Sequence, residues 1–393
     1  MSNFERKKAN DIDFVGGLGL IALSSCKDFG QKVDEHIKRL RREEGLPHPE
    51  TYLIDVQEVR FNNGEGKIIL NETARGKDIF LICDTGNYSC KYTLYGKDHH
   101  MSPDEHFQDI KRAVSAIGGK AARINVIMPM LYASRQDRNK SRESLDCALA
   151  LRELESLGVE DIITFDVHNP AVENAVPLLS FENLYATYEI VKNFIEDERA
   201  IVSDKENFLI ISPDTGGMER AIYYSTVMGV DVGMFYKQRD YTRLEKGRNP
   251  IVRHDYLGRD VEGRNIIIID DMISTGESVS DIIKDLKGRR AAKIFVATTF
   301  ALFTRGSDTF QQLYDDGLLT RVYSTNLTYV PEEIIAKPWF KHVDMSPFAA
   351  EVINNLNMNR SIEPILNATG RLAKHLDEFG TIGFTDTIYG VRT

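Results

Sequence analysis

The chain has 393 residues, of which 42% are hydrophobic and 27% are charged, as in an ordinary soluble globular protein. This length exceeds that of one typical domain, so we expect two compact α/β domains. The net charge of −10 argues against a general nucleic-acid binder and against a protein that binds anionic membranes.

Neither a transmembrane segment nor a disulfide framework is expected. Every apolar run is shorter than the roughly 18 residues that span a membrane, and the first residues lack the apolar stretch of a secretory signal. We therefore expect a cytoplasmic protein. The four cysteines lack CxxC and zinc-type spacing, so reduced structural thiols are expected. They are Cys26, Cys83, Cys90 and Cys147.

Strands and helices alternate along the first half of the chain. The predicted strands are short apolar runs at 20–23, 78–83, 123–129 and 161–166. The predicted helices carry apolar residues at helical spacing and cover 32–44, 107–117 and 143–157. A hairpin is predicted over 59–70. Residues 84–105 are predicted to be polar and irregular. Three histidines lie in or next to this segment, and they could bind a metal, although we favour a solvated loop. They are His99, His100 and His106.

The same alternation continues in the second half. The predicted strands are 208–211, 232–236, 266–269 and 293–298, and the predicted helices are 185–197, 218–228, 279–287, 347–356 and 363–378. This order predicts an α/β fold with two similar domains, each a mainly parallel sheet flanked by helices, plus a helical C-terminal extension. We expect domains at 17–180 and 181–345, with the extension 346–393 packing back on the N-terminal domain.

The stretch 261–281 carries the strongest functional pattern. Four isoleucines, Ile266–Ile269, suit a strand buried on both faces, and Asp270 and Asp271 follow them directly. Small polar residues then open a helix, and such a loop offers backbone N–H groups to a phosphate. The two carboxylates suit ribose hydroxyls or Mg²⁺. An ordinary turn with an acidic helix cap is the alternative interpretation of the pattern alone.

Other polar clusters also lie near the ends of predicted strands. The basic segment 132–142 suits phosphate oxygens, although by itself it would be interpreted as a solvated loop. His168 suits a metal or a structural role, and Asp214 begins a second glycine-containing loop that suits ribose or phosphate, or is a plain turn. Lys237 and Arg239 lie two residues apart on a strand, so they face one side of a site or a surface edge.

The order of these segments resembles the ribose-phosphate diphosphokinase family, the phosphoribosyl diphosphate synthetases. The loop by itself also resembles type I phosphoribosyltransferases. The matching segments are 61–65, 135–137, 168, 214–217, 237–239 and 270–278. The resemblance implies two phosphoribosyltransferase-like domains that transfer the diphosphoryl group of ATP to the anomeric hydroxyl of ribose 5-phosphate. It also implies Mg²⁺ as cofactor and a homo-oligomer built from dimers, up to a hexamer, with active sites shared between subunits.

The resemblance assigns roles residue by residue. The implied ATP contacts are Phe61, Asn63, Glu65, Arg135, Gln136 and Asp137. The implied ribose 5-phosphate contacts are Asp214, Asp270, Asp271, Ser274, Thr275, Gly276 and Ser278. His168 and Asp214 are implied metal contacts, Lys237 and Arg239 are implied catalytic residues, and Thr73 and Arg75 match a regulatory site.

The sequence departs from the family pattern in several places. Ser274 replaces a third acid that many relatives have, Glu277 replaces a glycine, and Ser134 is an extra residue. The regions 84–121 and beyond 350 are also longer than usual. Two other functions stay open: a phosphoribosyltransferase that consumes phosphoribosyl diphosphate, and a non-catalytic regulatory relative. The acceptor is ribose 5-phosphate or a ribose with a larger 5-substituent.

Overall fold

The computed structural model describes residues 14–139, 142–239 and 251–378, without the side chains of 237–239, 251–254 and 377–378. The described chain forms two compact units. The first contains the described residues up to Tyr185 together with Asn326–Tyr329 and Asp344–Leu366. The second contains the described residues of Ala186–Thr325, together with Val330–Val343 and the described residues from Asn367 onward.

The first unit is built on a parallel sheet in the order β1-β4-β7-β8-β9, with two separate hairpins, β2–β3 and β5–β6. The strands are β1 Gly17–Ala22, β2 Val56–Arg60, β3 Gly66–Leu70, β4 Lys77–Ile82, β5 Lys91–Leu94, β6 Lys97–His100, β7 Arg123–Met128, β8 Asp161–Phe165 and β9 Ser180–Leu184. The helices are α1 Lys27–Glu43, α2 Pro103–Ile117 and α3 Asp146–Ser156. Strand residues such as Leu81 and Val126 share one core with Ile110 of α2 and Leu151 of α3.

Local sequence signals fix the ends of α2. The side chain of Ser102 accepts a hydrogen bond from the Glu105 backbone N–H (3.3 Å), and the Glu105 carboxylate accepts one from the Ser102 N–H (2.8 Å). This capping box, with Pro103 at the first helical position, satisfies N–H groups that the helix itself leaves free. Gly118 ends the helix at φ +63°, a left-handed conformation that glycine adopts without strain.

The second unit is built on a larger sheet in the order β12-β11-β10-β13-β14-β15-β16, which is parallel except for β12. The strands are β10 Phe208–Ser212, β11 Asp231–Arg239, β12 Ile251–Leu257, β13 Asn265–Ile273, β14 Ile294–Ala301, β15 Arg321–Thr325 and β16 Phe340–Val343. The helices are α4 Thr187–Asp197, α5 Arg199–Ser203, α6 Met218–Met228, α7 Glu277–Gly288, α8 Asp308–Asp315 and α9 Glu332–Ile335.

The C-terminal region supplies helices to both units. They are α10 Ser346–Asn357, α11 Glu363–Leu366 and α12 Ala368–Glu378. In the first unit, α10 packs against α1. The buried guanidinium of Arg41 donates from Nε to Asn354 Oδ1 (2.9 Å) and from Nη2 to Asn357 Oδ1 (2.6 Å). In the second unit, α12 packs against α4.

Two buried oxygens at neighbouring positions of β7 and β8 stand out. Asn125 and Asp161 are register partners, and the Oδ1 atom of each has no hydrogen-bond partner within the described chain. Burial, and to a smaller extent the charge of Glu182, raises the pKa of Asp161 to about 6. Burial of a carboxylate with one oxygen left without a partner disfavours its charged form.

The predicted α/β fold with two mainly parallel sheets is confirmed, and each predicted strand has an observed counterpart. The prediction that 84–105 is irregular is wrong, because β5 and β6 form a hairpin with Tyr95 and Gly96 at positive φ in its turn. Among the described residues, no helix combines the length and apolar character needed to cross a membrane. The predicted boundaries 17–180, 181–345 and 346–393 stay predictions.

The three histidines of this region contact different partners. His99 Nε2 lies 3.0 Å from Glu105 Oε2, His100 Nδ1 lies 2.7 Å from the Tyr88 carbonyl, and His106 Nε2 lies 2.7 Å from the Asn87 carbonyl. His106 is buried on α2. The His99 contact ties the hairpin to the start of α2, and the three separate partners support structural roles. The solvated-loop interpretation is wrong for His106, which is buried.

Candidate active site

The acceptor loop, residues 270–278, follows the central strand of the second unit. Ile266–Ile269 of β13 are fully buried between β10 and β14, as expected for a strand covered on both faces. The isoleucines place Asp270 and Asp271 at the carboxyl end of β13, and α7 begins at Glu277. Ligands of parallel sheets bind at this edge, so the fold puts the acceptor loop where a binding site is expected.

Gly276 gives the acceptor loop its shape. Its φ of +79° lies in the left-handed region, and a Cβ added there would overlap the ring of Phe310. Phe310 is fully buried and stacks near Trp339, with ring centroids 5.9 Å apart. Both observations require glycine at this position, because any other residue would be strained and would displace the ring.

The two acids of the acceptor loop sit in a strongly negative environment. Asp271 is buried, and Asp270 Oδ1 accepts a hydrogen bond from the Asp271 backbone N–H (2.9 Å). Burial and then the charge of Asp271 raise the pKa of Asp270 well above its ordinary value, and the charge of Asp214 raises it further. The positive charge of Arg220 acts in the opposite direction. A cation bound nearby would relieve this crowding of negative charge.

Asp214 lies on a second loop, next to the acceptor loop. It follows β10, and β10 pairs in parallel with β13, with Ile211 opposite Ile268. The Asp214 carboxylate accepts hydrogen bonds from the backbone N–H groups of Gly216 (2.9 Å) and Gly217 (3.2 Å). The structure therefore brings Asp214, Asp270 and Asp271 together at one edge of the sheet.

Glu277 lies at the first residue of α7, beside the loop. Its carboxylate forms an ion pair with the guanidinium of Arg305, and both side chains are about two-thirds exposed (66% each). Arg305 follows β14, the neighbour of β13. The negative charge of Glu277 is thus balanced by an arginine from the segment that follows the adjacent strand.

Lys237 and Arg239 lie at the end of β11, which is longer than the predicted strand. The backbone of Lys237 is opposite His254 of β12, and the register shifts between Gln238 and Arg239. Because β11 pairs in parallel with β10, the backbone places both residues beyond the carboxyl end of β10. Their side chains lie outside the described structure, so their predicted catalytic role stays a prediction.

In the first unit, Asp137 connects the segments that follow β7 and β8. The Asp137 carboxylate accepts hydrogen bonds from Asn169 Nδ2 (2.5 Å) and from Arg138 Nε (3.1 Å). Burial raises the pKa of Asp137, but the Asn169 hydrogen bond and the charges of Arg138 and His168 outweigh it, so this pKa lies below its ordinary value. The structure therefore brings Asp137 and His168 together.

Arg135 and Gln136 are exposed beside Asp137. The extra residue, Ser134, lies in a turn in which Ala133 has a φ of +54° and the Gln136 N–H donates to the Ala133 carbonyl (2.7 Å). Lys140, part of the predicted basic segment, lies outside the described residues. Two exposed polar side chains with no ion pair in the described structure leave room for an anionic ligand.

Phe61, Asn63 and Glu65 form the turn of the β2–β3 hairpin, as predicted. The Phe61 N–H donates to the Glu65 carbonyl (2.8 Å), and Asn63 Nδ2 donates to the Glu65 carboxylate (3.0 Å). The Phe61 ring is 46% exposed, with the Lys67 ammonium 5.9 Å from its centroid. The Tyr95 N–H of the second hairpin donates to the Asn62 carbonyl (2.9 Å), which supports the turn from outside.

Thr73 and Arg75 lie on an exposed turn after β3. The Thr73 hydroxyl accepts a hydrogen bond from the Arg75 backbone N–H (3.2 Å), which is a local turn contact. The Arg75 side chain is exposed. Their predicted regulatory role stays a prediction.

Comparison with known families then identifies the chain. Residues 18–158 match the family model described as the N-terminal domain of ribose phosphate pyrophosphokinase. Residues 180–327 match the phosphoribosyl transferase domain, so the two matches together cover most of the chain. The chain belongs to the ribose-phosphate pyrophosphokinase family.

Individual pyrophosphokinases of this family are similar over most of their length. The ribose-phosphate pyrophosphokinase of Vibrio cholerae is 28% identical over 313 residues, which cover 78% of this chain and 90% of the relative. That of Wolinella succinogenes is 26% identical and covers 89% of this chain and 99% of the relative. The crystal structure of phosphoribosylpyrophosphate synthetase from Mycobacterium smegmatis, 21% identical, shares the fold with a TM-score of 0.69 over 87% of this chain and 99% of that one.

The family and fold predicted from the sequence are confirmed by these matches. The sequence patterns missed Arg305, although Thr304-Arg305-Gly306 is a polar cluster after an apolar strand. The predicted strand ended at residue 298, whereas β14 continues to Ala301. Extending the strand by three residues would have placed Arg305 among the candidates. The role of Asn169, which orients Asp137, has no signal in the sequence.

Proposed function

We propose that this chain transfers the β,γ-diphosphoryl group of ATP to the anomeric hydroxyl of ribose 5-phosphate, which yields phosphoribosyl diphosphate and AMP. The observation that carries the proposal is the acceptor loop in its structural setting. Two acids end a buried central strand, and a glycine-shaped turn then opens a helix, in a chain that matches the pyrophosphokinase family over most of its length.

The second unit would bind ribose 5-phosphate. Asp270 and Asp271 offer carboxylate oxygens to the ribose hydroxyls, which are hydrogen-bond donors. The backbone N–H groups of Ser274–Ser278 and the N-terminus of α7 suit the 5-phosphate, because they combine donors with a positive dipole end. Asp214 would add a carboxylate from the neighbouring loop. The left-handed Gly276 supports this assignment because it lets the backbone turn toward the ligand.

The proposed cofactor is Mg²⁺. The crowding of Asp214, Asp270 and Asp271 provides the hard oxygen donors that this ion prefers. Within the described part of the chain, no group of three or more His, Cys, Asp or Glu side chains could hold a metal by itself. That arrangement fits an ion that keeps several waters and binds substrate phosphates. When bound, Mg²⁺ would neutralise phosphate charge. Asp214 in the second unit and, separately, His168 in the first unit are proposed metal contacts.

The first unit would bind ATP. Arg135 and Gln136 are exposed polar donors, and Asp137 is held in place by Asn169. The turn of Phe61, Asn63 and Glu65 would contact adenine. In the second unit, Lys237 and Arg239 would stabilise the charge that develops on the transferring diphosphoryl group. Positioning and charge stabilisation provide most of the catalysis in phosphoryl transfer, so a strong base is not required.

We also propose that the active sites are shared in a homo-oligomer. Phe61 lies on a hairpin turn and is half-exposed, which suits a ring that stacks on the adenine of a neighbouring subunit. Thr73 and Arg75, exposed on their turn, are proposed to bind a regulatory phosphate or ADP.

Product analysis tests the proposed function. The purified chain is incubated with ATP, Mg²⁺ and ribose 5-phosphate, and mass spectrometry should detect phosphoribosyl diphosphate and AMP in equal amounts. A Lys237→Ala chain, purified in parallel, controls for contaminating enzymes. AMP without phosphoribosyl diphosphate, or no product at all, would contradict the proposal. Consumption of added phosphoribosyl diphosphate with a nucleobase would instead identify a phosphoribosyltransferase.

A further inference from the structure

The ion pair between Glu277 and Arg305 lies at the end of the acceptor loop, where α7 begins. Glu277 is the first residue of α7, and Arg305 comes from the segment after β14. Each side chain is about two-thirds exposed (66%), so solvent and ligands reach the pair. An exposed ion pair of this kind contributes little to the stability of the fold. A role in ligand binding would explain why it lies beside the loop that we propose binds phosphate.

The segment that carries Arg305 is held against the loop by its backbone. The Leu302 N–H donates to the Ile273 carbonyl (2.9 Å), and the Thr304 N–H donates to the Ser274 carbonyl (2.9 Å). The Thr304 hydroxyl also lies 3.3 Å from the Ser274 carbonyl. These backbone hydrogen bonds therefore hold the backbone next to Arg305 against the acceptor loop, so its guanidinium starts from a fixed position.

The Glu277 carboxylate should weaken phosphate binding at the loop, and the charge of Arg305 opposes that effect. The N-terminus of α7 attracts negative charge, so a carboxylate on its first residue competes there with any phosphate. The same carboxylate also repels a phosphate dianion bound to the loop. The guanidinium of Arg305 pairs with this carboxylate and cancels its charge.

We propose that Arg305 is a positioning residue for the acceptor: it neutralises the Glu277 carboxylate and so leaves the α7 N-terminus available to the 5-phosphate. This inference rests on the proposed function, which places ribose 5-phosphate at the loop. Arg305 acts through Glu277 and not by contacting the sugar.

Binding of ribose 5-phosphate, measured by titration calorimetry without ATP, tests the inference separately from catalysis. Arg305→Ala removes a unit positive charge near a dianion in water, so it should raise the Kd by about 5- to 10-fold. Glu277→Ala in the same chain removes the repulsion, so the double variant should bind within about 2-fold of the wild type. The loss should also shrink at 0.5 M salt, because exposed charges are screened.

A matched control is available in the same unit. Arg290 forms an ion pair with Glu262, and their side chains are 74% and 49% exposed. Arg290→Ala should leave the Kd for ribose 5-phosphate unchanged. If Arg305→Ala binds as the wild type does, or if the double variant stays as weak as Arg305→Ala, Arg305 does not act through Glu277 and the inference is wrong.

Steady-state kinetics separate this inference from the proposed function. In Arg305→Ala, the KM for ribose 5-phosphate should rise while kcat and the KM for ATP change less than about 2-fold, because only acceptor binding is affected. Equal changes in both KM values would mean a general structural defect and would overturn the inference. A wild-type chain that binds ribose 5-phosphate but makes no phosphoribosyl diphosphate would contradict the proposed function instead.

Discussion

Replacing Gly276 by alanine should destabilise the acceptor loop, although the change adds only one methyl group. A residue other than glycine in the left-handed region is less stable by about 1–2 kcal/mol, and Gly276 has a φ of +79°. The added Cβ would also overlap the Phe310 ring, and forcing extra volume into a packed core costs about 1–3 kcal/mol. Together these effects amount to about 2–5 kcal/mol.

Phe310 has little room to move away. It is fully buried, and its ring lies 5.2 Å from the Phe303 centroid and 5.9 Å from the Trp339 centroid. We therefore expect the loop backbone to shift instead of the ring. The Gly276→Ala chain should lose stability in urea unfolding, and its KM for ribose 5-phosphate should rise by at least about 10-fold while its KM for ATP stays within about 2-fold.

Gly288 provides the matched control, because it ends the same helix, α7, and an added Cβ there meets open space. Gly288→Ala should be neutral or stabilise by up to about 1 kcal/mol. In the Gly276→Ala background, Phe310→Leu should recover part of the lost acceptor affinity by removing the overlap. Wild-type stability and an unchanged KM in Gly276→Ala would refute the argument that backbone geometry shapes the site.

Three further predictions concern turnover, assembly and pH. Lys237→Ala should lower kcat by at least about 100-fold with little change in ATP affinity, because a cation facing developing charge acts mainly in the transition state; wild-type-like kcat would remove Lys237 from the mechanism. Phe61→Ala should weaken ATP binding by about 5- to 30-fold. Mixing it with Lys237→Ala should restore activity if sites are shared and subunits exchange, and no recovery despite proven exchange would count against sharing. Asp161, whose pKa of about 6 lies above the unfolded value, loses its contribution to stability as pH rises from about 4 to 6. Asp161→Asn should therefore raise the free energy of unfolding by about 1–3 kcal/mol at pH 8 and change it little at pH 4, whereas equal effects at both pH values in urea unfolding would show that the charge is not responsible.

Much of the acceptor loop could be predicted because its signals are local. Ile266–Ile269 predict a strand buried on both faces. The acids that follow lie at its carboxyl end, and this placement does not depend on the other strands. Two successive series of strands and helices similarly predict two parallel sheets. These features depend on sequence period and on the rule that sites lie where parallel strands end.

Other features depend on tertiary contacts that local sequence patterns do not predict. In the hairpin β5–β6, the polar–apolar alternation of β5 covers only four residues and β6 has no apolar residue, so the sequence resembles a loop until its turn at Tyr95 and Gly96 is seen. The ion pair of Glu277 joins residues 28 positions apart and needs β14 beside β13. The hydrogen bond that orients Asp137 likewise spans 32 positions.

The discontinuity of the first unit has a consequence for protein synthesis. Helix α10 packs on α1, and the buried Arg41 donates hydrogen bonds to the side-chain amide oxygens of Asn354 and Asn357. A ribosome makes the residues of α1 more than 300 positions before these asparagines. Until α10 emerges, a nascent first unit would lack these two partners of Arg41 and would leave the face of α1 that packs on α10 uncovered, a state that exposes apolar surface to chaperones. Its final folding step would be delayed until nearly the whole chain exists.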